Sequence, residues 1–254
     1  MKTLFLDMEW GQIYGSYRRD FIPIEIGAVI SSLEDDVPVL ESKKFCNDID
    51  IVIRKNIIND IGKTVGFSET VANIGKREYQ KQFDHSYRLK KPDKRVARGL
   101  LIRVLNDLRQ YIHSLFRRYH VAQIVLFGGR EDLNWLKKAN VNISNIKIVD
   151  IQCVIRKEIH YLFSLDKISL IIAFYSNNKF FGSNNFRYPL PDRYKYLIKP
   201  HRAIGDACRI FVVYKEFYCA KSEFVQQCSS YFYANQTHKM ITNTVIKSSS
   251  VIAN

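Results

Sequence analysis

Long apolar runs, paired cysteines and a phosphate-binding loop are all missing from this 254-residue chain, and acidic residues are scarce beside basic ones. The longest apolar stretch, around Ile168 to Tyr175, is too short to span a bilayer, so no membrane role is expected. The five cysteines, Cys46, Cys153, Cys208, Cys219 and Cys228, stand singly, with no C-x-x-C pair and no spacing that closes a zinc site. An odd count, in a chain whose first residues run into a strand rather than a signal peptide, points to reduced thiols in a cytoplasmic protein. No G-x-x-x-x-G-K-[ST] occurs, which argues against a nucleotide-driven motor. No Ser, Cys and His arrangement supports covalent catalysis.

What is abundant is positive charge. Lys and Arg number 39 against 25 Asp and Glu, a formal charge of +14. A surface of that sign concentrates polyanions around itself, so nucleic acid is the first candidate partner and an anionic membrane surface the second. The membrane reading lacks a basic amphipathic anchor. A Lys-rich soluble protein with no such partner is the plain alternative. At 46% hydrophobic the chain can bury one substantial core. We read one main domain over 1–221, with a C-terminal appendage or partly disordered tail over 222–254 that is nearly free of acidic residues.

The apolar pattern places the elements. Thr3 to Leu6 reads as a strand ending at Asp7, Ile22 to Ser31 as a second and Val37 to Cys46 as a third, joined as an antiparallel hairpin. Asn56 to about Asn73 is mixed, and reads as a short helix and a loop. A basic insertion over 76–98 carries nine Lys or Arg against three acidic residues. Its aromatics Tyr79, Phe83 and Tyr87 suit a helix packed on the core, and its charges suit either a solvated face or a surface that tracks phosphates or docks a protein partner. A long amphipathic helix follows over Val96 to Tyr119, then a strand at Gln123 to Phe127, a helix through Leu133, Leu136 and Ala139, a strand at Ile146 to Ile151, a helix from Asp166 to Tyr175, and a last helix after Pro200. The order predicts an α/β fold with a mixed central sheet flanked by helices.

Three short segments carry the chemistry. Asp7 and Glu9 lie two apart on a strand, so both side chains emerge on one face. Carboxylates held side by side repel each other unless a cation intervenes, and hard divalent metals suit them. A D-x-E pair taken alone is more often a solvated strand end. In the second segment, Phe127-Gly128-Gly129-Arg130-Glu131-Asp132, a strand ends, a double glycine turns and an acid opens a helix. Alone, that acid reads as a helix cap or dipole partner. The third segment is His201-Arg202-Ala203-Ile204-Gly205-Asp206-Ala207 at the start of the last helix, where a metal-ligating Asp and a proton-transferring His could share one pocket.

Phe5-Leu6-Asp7-Met8-Glu9, Ile24 to Val29, the Gly-Gly-Arg-Glu-Asp132 turn and His201 through Ala207 together resemble, in chain order, the motifs of the DEDDh (DnaQ-like) 3′-5′ exonucleases. The likeness spans about residues 3 to 217 and implies the ribonuclease H-like fold. It also implies two divalent cations, Mg²⁺ or Mn²⁺. Asp7 would bridge them, Glu9 and Asp206 would complete the nucleophile-side site, Asp132 would hold the second, and His201 would be the general base. Met8 and Trp10 would contact the substrate, a single-stranded RNA or DNA 3′ end. Trp10-Gly11-Gln12 departs from the family pattern, where a Thr pair and a Gly are common. Gly128-Gly129-Arg130 is similar to the glycine-containing motif of the branch that acts on histone mRNA and siRNA, which tilts the expectation towards RNA. The departure after Glu9 also leaves a second reading, a catalytically weak nucleic-acid-binding module on the same fold. Glu25 and Asp150 are assigned structural roles, Asp150 as a turn or cap.

Overall fold

The computed structural model describes residues 2–13, 21–32, 37–45, 52–54, 93–172, 187–198 and 202–231. Expectations for 56–73, for most of the basic insertion, for His201 and for the end of the tail lie outside the described residues.

The chain runs β1 (Lys2–Ile13), β2 (Phe21–Ser31), β3 (Val39–Lys44), β4 (Val52–Arg54), α1 (Lys94–Tyr119), β5 (Val121–Leu126), α2 (Arg130–Lys138), β6 (Lys147–Asp150), α3 (Ile151–Ile159), α4 (Leu165–Ile171), a 3-10 turn (Asp192–Leu197) and α5 (Ala203–Cys219). Residues 221–231 form a further helix. The six-stranded sheet has the order β3-β2-β1-β5-β6, with β4 pairing the far end of β1. β1, β2 and β3 are antiparallel neighbours, whereas β5 and β6 run parallel to β1. The α/β class and the mixed sheet agree with the sequence pattern.

Alternation along β1 divides the core in two. Leu4, Leu6 and Met8 point to one face and pack with α1 and α2, while Phe5 points to the other and packs with α3, α4 and α5. On the first face α1 buries Leu100, Val104, Leu108, Ile112 and Leu115, a stripe at helical spacing. On the second, Phe211 and Tyr214 of α5 meet the Phe5 ring edge-on, with centroids 5.2 and 5.1 Å away. Phe224 and Cys228 are buried in the same cluster, so packing continues past residue 221.

Two local readings are corrected. β1 does not stop at Asp7 but extends to Ile13, because β2 pairs with it as far as Gln12 and β4 joins beyond. A helix, α3, occupies 151–159, where the run ending at Ile151 reads as strand. Asp150 caps α3 by accepting from the backbone N–H of Gln152 and Cys153, and Ile151 and Ile155 turn inward. Asp150 also accepts from the Gly128 N–H, which ties β6 to the turn after β5.

One glycine sets how closely α5 approaches the sheet. Gly27 lies opposite Asp7 in the β1–β2 register. A Cβ there would stand 2.2 Å from the Ala203 carbonyl and the Ile204 nitrogen, at the first turn of α5. Gly27→Ala must therefore push α5 off β2, and overpacking of this kind costs about 1–3 kcal/mol or more. Gly99 lies exposed in α1, where an added Cβ would meet nothing within 4 Å, and it predicts the opposite sign. Alanine there stabilises the helix by roughly 0.5–1 kcal/mol. Unfolding temperatures should move in opposite directions, by roughly 2–4 °C per kcal/mol. Equal shifts for the two variants would refute the seating of α5 on Gly27.

Candidate metal centre

Asp7 and Glu9 project from the α5 face of β1, and Asp206, in the first turn of α5, descends on them. One carboxylate oxygen of each lies within 4.8 Å of the others. Glu9 and Asp206 are buried and Asp7 is partly so. Two unit negative charges no farther apart than that repel by about 3.5 kcal/mol or more, even at an effective dielectric constant of 20. Burial pushes the Asp7 pKa well up, and the neighbouring Asp206, Glu9 and Asp132 push it further, against a smaller downward pull from Arg209. Three carboxylates gathered in one pocket could hold a cation, and oxygen-only donors suit a hard divalent metal.

Asp132 lies outside that trio but near enough to Asp7 for its charge to raise the Asp7 pKa. The β1–β5 pairing ends at Phe5–Val125, so the edge of β1 beyond it is left to another partner. The Asp132 carboxylate takes that place, accepting from the backbone N–H of Met8. The turn that delivers it needs its glycines. Gly128 has φ +63°, and a Cβ on Gly129 would meet the Leu126 side chain at 2.4 Å. Burial, resisted by those backbone N–H donors and aided by Glu131 and Asp150, pushes the Asp132 pKa up to about 7. Its Oδ1 is buried with no hydrogen-bond partner. A buried acceptor left in that state costs about 1–3 kcal/mol, so the donor set fits a divalent cation or its bound water at this point.

The remaining candidates separate. Met8 is buried in the α1 and α2 core, so its side chain is not a contact surface, and only its backbone faces the site. Trp10 is half-buried and stacks on Trp135, with centroids 5.6 Å apart and planes tilted by 31°. Lys138 Nζ lies 4.1 Å from the Trp135 ring centroid, and Trp135 stands one turn along α2 from Asp132.

Sequence reasoning missed two neighbours of the cluster. Glu25 pairs directly with Glu9 across β1 and β2, which puts it on the site face, where it is buried and 3.8 Å from the Arg202 guanidinium. Its alternation in Ile-Glu-Ile-Gly is visible in the sequence, but only the register reveals that its face is the one carrying Glu9. Arg209, at i+3 from Asp206, bonds to it on the buried side. That spacing is a usable signal.

Among the described residues no helix is long and apolar enough to cross a membrane. Comparison of the chain with protein-family models, with curated proteins and with solved structures finds no match to any of them.

Proposed function

We propose that this chain is a metal-dependent 3′-5′ exonuclease on a ribonuclease H-like fold, with a DEDDh site that acts on single-stranded nucleic acid and favours RNA. The observation that carries the reading is the convergence of Asp7, Glu9 and Asp206 from elements about two hundred residues apart in the chain, with Asp132 and its unpartnered oxygen near Asp7. The hairpin start followed by parallel strands agrees with that fold, and the charge of +14 suits a polyanionic substrate.

Asp7, Glu9 and Asp206 would hold one divalent cation, and Asp7 with Asp132 a second. Bound cations would neutralise charge on the attacking and leaving oxygens of an in-line phosphoryl displacement. His201, two residues before α5, is assigned the proton of the attacking water, work for which an imidazole pKa near 6.5 is suited. Water attacks the terminal phosphodiester, the bond to the 3′ oxygen breaks, and the last nucleotide leaves. Trp10, which the resemblance assigns to the substrate, would offer a base a stacking face, worth roughly 1–3 kcal/mol per base.

End-labelled RNA and DNA oligomers of one sequence, single- and double-stranded, provide the test. Shortening from the 3′ end should require Mg²⁺ or Mn²⁺ and should be faster on single-stranded RNA, the 2′-hydroxyl being the group that distinguishes the two acids. Undiminished cleavage in EDTA would refute the proposal.

A further inference from the structure

Arg209 is the largest fully buried side chain among the described residues, at 1% exposure. Its Nη1 donates to Asp206 Oδ1 at 2.7 Å, its Nη2 donates to Asp166 Oδ1 on α4, and its Nε donates to Ser169 Oγ at 3.2 Å. Ser169 in turn donates to the Leu165 carbonyl at 2.6 Å. One planar guanidinium thus spans from the backbone of α4 to a carboxylate of the candidate metal centre.

The geometry points to Arg209 as a positioning residue, which with Asp166 forms a charge-neutral strut that fixes the Asp206 carboxylate for a divalent cation. This inference rests on the proposed metal site. A carboxylate near the helix start rotates about its side-chain bonds, and a planar fork anchored at two further points removes that freedom more completely than an ammonium could. A guanidinium alone behind a metal ligand would also repel the incoming cation. Asp166, outside the acidic trio, cancels that charge, so that Asp206, Arg209 and Asp166 together present the single negative charge that Asp206 would present alone. Second-layer carboxylates and donors commonly orient metal ligands in this way.

The competing account is that Arg209 merely fastens α4 to α5. Three variants separate the two: Arg209→Lys, Asp166→Asn and the double variant R209M/D166N. Mn²⁺ binding is read by calorimetry, unfolding temperature in EDTA, and kcat and KM on an oligonucleotide. A strut predicts Mn²⁺ binding weakened about 10- to 100-fold in Arg209→Lys and in Asp166→Asn, with kcat falling and KM little changed. Removing both charges avoids leaving one buried ion unpaired, so the double variant should keep most of the wild-type unfolding temperature while still binding Mn²⁺ weakly. Wild-type Mn²⁺ affinity in Arg209→Lys or in the double variant overturns the strut and leaves the metal site standing. Absence of Mn²⁺ binding by the wild-type protein overturns both.

Discussion

Asp7→Asn is expected to slow metal-dependent release of 3′-terminal nucleotides by about a thousandfold or more, roughly 4 kcal/mol of barrier, and to raise the unfolding temperature of the chelated protein. Both effects come from one cause. Asp7 faces Asp206 and Glu9 in a buried pocket, and its pKa is driven well up by burial first and by those charges second. A group whose pKa is raised on folding contributes stability below its unfolded pKa and loses it as pH rises through the folded value, so at neutral pH the ionised Asp7 is a liability without metal. Asparagine keeps the shape and removes the charge. Single-turnover assays with excess protein and thermal melts in EDTA at pH 4 and pH 8 check the pair of outcomes, the stability gain being large at pH 8 and small at pH 4. A variant that is inactive and also less stable at pH 8 would mean that Asp7 is a packing residue rather than a member of a charge cluster.

Without metal, the protein should grow less stable as pH rises from about 4 to 7, and saturating Mn²⁺ should abolish that slope. Asp132, with its pKa pushed up to about 7, binds a proton in the folded state over a range where the unfolded carboxylate has already lost it. Each pH unit in that window costs about 1.4 kcal/mol for one such group, and the full cost is reached above the folded pKa. A cation at the site favours the ionised carboxylates, so the window closes as metal saturates. The contribution of Asp132 is isolated by subtracting the profile of Asp132→Asn, which should lack its share of the slope in EDTA. Denaturant unfolding at several pH values, with EDTA or Mn²⁺, measures it. Parallel profiles in the two solutions would count against a cation at Asp132.

How much of the fold and site is legible in the sequence depends on the range of the interactions. The i, i+2 pair Asp7 and Glu9 shares a strand face for a purely local reason, and Asp206 follows Pro200 into a helix whose apolar period is equally local. The turn that delivers Asp132 is marked by its glycines. The extension of β1 through Trp10-Gly11-Gln12 is hidden because no alternation survives there, and pairing with β2 and β4 maintains the strand instead. Asp166 cannot be connected to Asp206 from sequence, since their link through Arg209 exists only once α4 and α5 pack together. Glu25 reads as the polar side of its strand, and only the register with Glu9 places that side at the site.

The close seat of α5 on Gly27 also has a temporal meaning. Asp206 meets Asp7 only when the first turn of α5 settles against β2 opposite Asp7. At ribosomal speeds of about 5–20 residues per second, a new chain carries its N-terminal carboxylates for roughly 10–40 s before the third one is made. Throughout that interval the growing chain lies beside the RNA that encodes it without a complete acidic centre. Under the proposed function, hydrolysis would begin only once α5 is made and seated on the sheet.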